Sequence, residues 1–381
     1  MSVWRRRGMP ALLASAALGF CGLALLMPVA PMWAVHNGAD NLGAGLVNTV
    51  LMAFTVVGQM SVARLIGRVG APVTLAIGLL LMGGPALVHL FAGSLWAVLG
   101  LAALRGLGFG ILTVSGVDGV AGLFAQEERG RAVGAYGLAI AAPQFVLTPV
   151  APWLAEQVGF ELVFVLAAAP MLAIPCALAF TRPAPTPPPR RGDGERFVLT
   201  AGLVNPILAL VVITASGGAI LTFAPQLGGA DAAFASLLAL TGMAALARWL
   251  VGGPADRFGP ARFIQPLLYL GATGLLIIAV GVARGAPAGD VLVVAGAALV
   301  GVAYGALQNV TLVQAFAATA EHARGKVSVA WNVGFDGGTG VGALAVGALA
   351  TAASFPTAFA VLAAACAAAG VTWCFTHSNR R

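Results

Sequence analysis

Long apolar runs recur along this 381-residue chain, each near the roughly 20 residues a helix needs to cross about 30 Å of hydrocarbon. Twelve are predicted, at 11–33, 43–63, 72–92, 95–120, 133–153, 161–181, 198–224, 233–251, 263–283, 290–317, 327–351 and 356–376. Short polar turns separate them. The runs lack the period-two alternation of barrel strands, and lipid offers no water to satisfy an open sheet edge. The predicted fold class is therefore an all-α membrane protein of twelve transmembrane helices.

The pattern is also written twice. Arg129-Gly130-Arg131-Ala132 returns as Arg324-Gly325-Lys326-Val327, and each copy precedes a glycine- and alanine-rich run. Gly110 stands as far before Gly130 as Gly305 stands before Gly325, so the two helix pairs align without a gap. An earlier echo sets Arg68-Val69-Gly70 against Arg257-Phe258-Gly259. Two homologous six-helix halves are expected, 1–181 and 198–381, joined by the segment 182–197. That segment is stiffened by proline in its first half and solvated by charge in its second, as a linker would be. Six crossings return the chain to its starting side, so the halves run parallel.

Composition leaves no soluble alternative. With 60% hydrophobic residues, 9% charged and a mean hydropathy of +0.95, the chain cannot coat a water-soluble body of this size. A net charge of +7 would suit a nucleic-acid partner, so the placement of the charges decides. Apart from Arg105, Arg248 and Arg284, the arginines, from Arg5, Arg6 and Arg7 through Arg64, Arg190, Arg191 and Arg262 to Arg380 and Arg381, fall in every second connection or in the tails. The alternate connections hold Arg284 with Asp40, Glu156, Asp231 and Asp290. This positive-inside bias predicts a multi-pass protein of the cell membrane with both termini cytoplasmic, and makes nucleic acid a poor partner. Membrane lipid is the expected surrounding. Trp33, Trp96, Trp153, Trp249 and Trp373 fall near span ends, where amphipathic rings favour the interface.

Residues 1–34 resemble a secretory signal, but their apolar stretch exceeds the usual 7–15 residues and eleven further spans follow. A retained first helix is expected. Cys21, Cys176, Cys366 and Cys374 lie in apolar runs without ligand spacing and read as small packing residues. His36, His89, His322 and His377 are scattered, read as surface or interfacial imidazoles, and form no catalytic or metal constellation. No catalytic residue, metal site or cofactor is expected, and no phosphate-binding loop appears.

Gly252-Gly253-Pro254-Ala255-Asp256-Arg257-Phe258-Gly259 resembles the loop signature Gly-x-x-x-Asp-Arg-x-Gly of the major facilitator superfamily. The first-half copy keeps Arg68 and Gly70 but has Gly67 in place of the acid. Arg105-Gly106-Leu107-Gly108-Phe109-Gly110 resembles the superfamily's fourth-helix signature, with the glycine register displaced by one. Phe223-Ala224-Pro225 and Asp336-Gly337-Gly338-Thr339-Gly340 resemble the drug- and sugar-efflux branch of proton antiporters. The resemblance implies the major facilitator fold and a secondary active transporter that moves a small molecule by alternating access, functional as a monomer. Efflux coupled to protons is the expected mode. Ala141-Ala142-Pro143 keeps the proline but not the glycine of a signature common in proton-driven exporters, which leaves proton-coupled uptake open. A non-transporting membrane sensor on the same fold is the alternative of another class.

Charge inside the hydrocarbon costs several kcal/mol unless paired or hydrated. Arg105 and Asp336 each lie about ten residues into a span, roughly 15 Å deep at 1.5 Å per residue. They are the candidate proton-coupling and substrate residues, Arg105 alternatively bonding carbonyls of a glycine-loosened helix. Tyr304, Gln308 and Thr311 on the tenth span and Asn332, Asp336 and Thr339 on the eleventh fall at i, i+4, i+7, while Tyr136 and Gln144 share a face of the fifth. Such stripes line a cavity or glue helices together. The candidate cytoplasmic gate comprises Arg68, Gly70, Asp118, Arg248, Gly252, Asp256, Arg257 and Gly259. There glycine permits a tight turn and Asp256 can cap a helix N-terminus or pair with arginine. Arg248 is either a latch partner or a side chain snorkelling to the headgroups.

Overall fold

The structure is a computed structural model that describes residues 8–124, 129–180, 201–319 and 324–378. The linker 182–197, His322 and the arginines of both tails lie outside the described residues. Helices α1 Met9–His36, α2 Asn41–Val69, α3 Ala71–Val88, α4 Leu95–Leu123, α5 Arg129–Gln157, α6 Phe160–Ala167 and α7 Ile174–Leu178 come first. They are followed by α8 Ala201–Leu227, α9 Ala230–Leu250, α10 Gly252–Phe258, α11 Ala261–Arg284, α12 Ala288–Ala317, α13 Arg324–Ala352 and α14 Phe355–Ser378. Among the described residues there is no strand, and 12 spans are long and apolar enough to cross a membrane.

Two of those spans are interrupted for identifiable reasons. The sixth is not one continuous helix: α6 ends at Ala167, a 3-10 stretch covers Ala169–Ala173, and α7 resumes at Ile174. Pro170 and Pro175 sit at the first positions of the two later pieces. A proline ring removes a backbone donor and clashes with the preceding turn, so the hydrogen-bond ladder restarts there. The eighth span breaks at Val251 between α9 and α10, just before Gly252-Gly253-Pro254.

The chain forms two compact units, Met1–Ala30 with Val50–Arg196, and Pro31–Thr49 with Phe197–Arg381. In the first, α4 packs on α2 through Gly110, where a Cβ would enter the backbone of Thr55 and Gln59. In the second, α12 packs on α9 through Gly305, where a Cβ would enter the backbone of Ala244. The repeated glycine thus has the same function in each unit. Without a side chain the helix axes approach until dispersion and backbone dipoles hold them, the form of association lipid favours. The loop echo is equally literal: Gly70 has φ 82° and Gly259 φ 85°, a region where L side chains are strained.

The core of the second unit combines Phe223, Leu237, Leu275, Ile278, Val300, Val346 and Phe359, all essentially inaccessible. Residues 31–49 are tied into this unit by hydrogen bonds. The Asn48 amide donates to Thr222 Oγ1 at 2.8 Å, the Thr49 hydroxyl to the Gly340 carbonyl at 2.9 Å, and the Leu42 N–H to Thr351 Oγ1 at 2.9 Å.

Three expectations need correction. Trp373 is only 5% exposed, its indole donating to the Ala261 carbonyl at 3.2 Å, so it is a packing residue of the second unit. His89 has no exposed surface and is not an interfacial imidazole. Among the cysteines Cys366 is buried in the core with its sulfur 3.4 Å from Ser216 Oγ, whereas Cys374 is exposed.

Candidate functional site

The second unit gathers most of the predicted polar stripe. Tyr304, Gln308 and Thr311 follow one another down α12, and Asn332, Asp336 and Thr339 do so on α13. Gln308 accepts a hydrogen bond at 3.0 Å from the Arg248 guanidinium, which α9 supplies from its last turn. The Asn309 amide in turn donates to the Arg248 carbonyl at 3.2 Å. Arg248 therefore belongs to this polar group.

An aromatic wall completes the group. The Tyr304 and Phe335 rings lie 6.0 Å apart and the Phe335 and Trp331 rings stack at 5.7 Å. Offset aromatic pairs of this kind add roughly 0.5–1.5 kcal/mol beyond the area they bury. The Trp331 indole donates to Thr311 Oγ1 at 3.1 Å, and that hydroxyl donates to the Leu307 carbonyl. Thr311 thus ties α13 to α12 through the indole while its own hydrogen is held within α12. Asn332 and Thr339 bond carbonyls one turn back in α13, those of Ser328 and Phe335. Asp336 is 6% exposed, and the Tyr304 phenol is within electrostatic range of both Asp336 and Arg248. A buried carboxyl, a phenol and an arginine–glutamine pair beside an aromatic wall suit a polar molecule with an apolar part, and suit exchange of a proton at the carboxyl.

Arg105 belongs to the first unit. It is 1% exposed on α4, donates from Nη2 to the Gly22 carbonyl of α1 at 3.4 Å, and its Nε has no protein partner among the described residues. Tyr136 is buried with its ring over Gly116 of α4 and its hydroxyl without a hydrogen-bond partner among the described residues, and Gln144 donates to the Ile140 carbonyl at 3.3 Å. Neither hydroxyl nor amide of this α5 pair reaches Arg105 through a hydrogen bond.

The gate candidates are spread over short connections. Arg68 is exposed at the end of α2, Gly70 caps α3, and Asp118 is half-buried on α4. Gly252, Asp256 and Arg257 lie on α10, with Gly259 closing it. The Arg257 guanidinium sits 5.1 Å from the centre of the Phe258 ring. Asp256 is exposed and makes no ion pair among the described residues. Sequence patterning missed Asn309, Trp331 and Phe335. A tryptophan and a phenylalanine four residues apart, alternating with Asn332 and Asp336 at the same spacing, were the available signal, since the two pairs share adjoining faces of α13.

A family model for the Major Facilitator Superfamily matches residues 12–291, and the chain belongs to that superfamily. It is a membrane transporter built on the major facilitator fold, and not an enzyme. No curated protein matches the chain. Among solved structures it is similar to the nucleoside transporter NupG, with 13% identity over 98% of each chain and a TM-score of 0.71. It is also similar to the peptide transporter POT in complex with sulfate, with 14% identity over 98% of this chain and 95% of that one, and a TM-score of 0.78. A bacterial homolog of the human lysosomal transporter Spinster gives 14% identity over 97% and 95%, and a TM-score of 0.72.

The loop residues carry one testable expectation. If Asp256 holds the cytoplasmic ends of helices together in one conformation, Asp256→Asn weakens that state and leaves folding intact. Cysteines placed in the α12 stripe should then become more accessible from the cytoplasmic side and turnover should slow several-fold. Unchanged labelling and turnover would reduce Asp256 to an orienting charge.

Proposed function

We propose that this transporter exports a small amphipathic molecule across the cell membrane in exchange for protons, working as a monomer. The observation that carries the reading is Asp336, a buried carboxyl in the middle of α13 and the chain neighbour of Phe335, whose ring lies 6.0 Å from that of Tyr304, one helical turn before the Gln308 that pairs with Arg248. In this reading Asp336 loads and releases the proton. Tyr304, Gln308 and Asn332 contact the substrate together with the Phe335 face, and the loops around Arg68 and Asp256 form the cytoplasmic gate. The resemblance of Phe223-Ala224-Pro225 to the efflux branch supports the outward direction.

Reconstitution in proteoliposomes tests it. A thermal-shift screen against drugs, sugars, amino acids and metallophores supplies the substrate, and counterflow of that compound distinguishes a carrier from a sensor. An imposed pH gradient should then drive substrate opposite to protons. Movement with protons instead selects uptake, the reading favoured by the missing glycine before Pro143. The cytoplasmic placement of both termini and of the linker is tested by cysteine labelling at Gly192 and Gly285 in intact cells. Only the second should react from outside, and labelling of both overturns the arrangement.

A further inference from the structure

Contacts on successive turns of α12 set a cation against a row of aromatic rings inside the second unit. The Tyr304 ring lies 6.0 Å from that of Phe335, which stacks in turn on Trp331 at 5.7 Å. One turn after Tyr304, Gln308 Oε1 accepts from Arg248 Nη1 at 3.0 Å. One turn further, Thr311 Oγ1 accepts from the Trp331 indole at 3.1 Å. Gln308 therefore stands between the two α12 residues that touch the ring row. Neighbours at such spacing have Cβ atoms about 5–6 Å apart, so the guanidinium held by Gln308 is brought to the flank of that row.

Packing places Arg248 there. Gly305, next to Tyr304, lets α12 approach so closely that a Cβ would enter the backbone of Ala244, one turn before Arg248 on α9. The Asn309 amide donates to the Arg248 carbonyl at 3.2 Å and fixes the end of α9 on the same partner helix. The Tyr304 ring itself fills the space where a Cβ on Gly217 of α8 would stand. A side chain snorkelling to the headgroups would turn away from the unit, whereas this one reaches in to a glutamine that is 6% exposed. Groups held in this way lose little freedom when a ligand arrives.

The group is rich in donors. A guanidinium carries five N–H donors and no acceptor, and Gln308 engages one of them. Arg248 as a residue remains exposed, so a ligand can reach the others. Gln308, having committed its oxygen, keeps its NH2 as a further donor, and as a neutral amide it supplies Arg248 with no counter-charge. A planar fork of N–H groups is matched by a carboxylate, which accepts two parallel bonds. The ring row makes a different demand. The Trp331 N–H is spent on Thr311, so the row presents ring faces and edges, against which a planar apolar group packs. Asp336 follows Phe335 directly, and consecutive helical residues do not share a face, so its carboxyl is not part of the row.

We propose that the transported molecule is an aromatic carboxylate, its carboxylate accepting from the remaining N–H groups of Arg248 and from the Gln308 amide, its ring lying against Tyr304 and Phe335. This rests on the proposed reading of the group as the substrate site, and adds the charge and shape of what the site takes. Arg248 selects for negative charge and the ring row for planarity, so an aromatic acid is preferred over its amide and over an aliphatic acid.

Binding to the purified full-length protein in detergent at neutral pH, followed by thermal unfolding and titration calorimetry, tests this without a proton gradient. The probes are benzoate, 1-naphthoate and indole-3-acetate, each against its primary amide, with acetate as a carboxylate lacking a ring. At least one aromatic acid should bind at least about tenfold more tightly than its amide and than acetate, as expected where a charge-assisted bond is gained. Arg248→Gln should remove that preference, and Phe335→Ala should weaken the aromatic acid several-fold. Arg284→Gln, which removes a positive charge from the far end of α11, should retain it. The comparison of acids with amides on the unmodified protein decides the matter even if a variant does not fold. Equal binding of acids and amides, or an unchanged preference in Arg248→Gln, would overturn the proposal. So would stabilisation by phosphatidylglycerol alone that Arg248→Gln removes, which would assign the guanidinium to a lipid headgroup. An intact acid preference without transport driven by a pH gradient would support the substrate class and overturn the export reading alone. Proton-driven export of a compound that lacks a carboxylate would do the reverse.

Discussion

Asp336→Asn is expected to abolish substrate movement driven by an imposed pH gradient while leaving substrate binding, and exchange of substrate for substrate, near wild-type levels. Asparagine keeps the size and hydrogen-bonding capacity of a protonated aspartic acid but cannot release a proton. The residue is 6% exposed in mid-helix, so its ionised form must be stabilised by neighbours or by water that enters during the transport cycle. A carrier whose buried carboxyl alternates between the two forms couples the flow of protons to that of substrate. A carrier fixed in one form becomes an uncoupled exchanger. The measurement is uptake into proteoliposomes with and without a pH gradient, alongside binding in detergent. Concentrative transport should fall by at least about tenfold, the loss associated with some 1.4 kcal/mol of coupling. A variant that still builds a wild-type gradient would place proton coupling in another group. If Asp336 only glues α13 to its neighbours, the substitution should lower stability and leave coupling intact.

Gly305→Val should prevent the second unit from folding. A Cβ at this position would enter the backbone of Ala244, and backbone cannot rotate aside as a flexible side chain can. Overpacking a tight interior costs typically about 1–3 kcal/mol, and this contact belongs at or beyond the upper end, since α9 and α12 would have to separate along their crossing. Gly110→Val should do the same to α2 and α4 in the first unit. Gly100→Ala is the control, on an α4 face with nothing within 4 Å of the added atom, and should be neutral or slightly stabilising because alanine favours a helix by about 1 kcal/mol. Monodispersity after extraction and the unfolding temperature report the difference. Equal behaviour of the two substitutions would mean that the repeated glycine is not a packing device.

The number and order of the spans were legible because crossing a bilayer is a demand on length and polarity that each segment meets alone. The duplication was legible for a related reason: Gly110 and Gly305, and Gly70 and Gly259, answer the same local demand in each half. The interruption of the sixth span was present in Pro170 and Pro175, but an apolar run read by hydropathy alone conceals it, since proline interrupts the hydrogen-bond ladder without making the segment polar.

The polar chemistry was legible only in part. Tyr304, Gln308 and Asp336 stood out by their spacing. The interaction of Arg248 with Gln308, sixty positions away in the chain, depends on how α9 crosses α12. Trp373 reads as an interfacial ring until α14 brings its indole to the Ala261 carbonyl. His89 reads as a surface imidazole near the end of a span until α6 brings the Phe164 ring 5.2 Å from it and leaves it no exposed surface. By itself the sequence determined the membrane class, the twelve spans, the repeat and the family, because hydropathy and backbone permissiveness are properties of short stretches of chain. The tertiary structure decided which polar groups are buried and what each one touches. Those properties come from side chains far apart in sequence meeting where little water is present, and no spacing within a single helix specifies them.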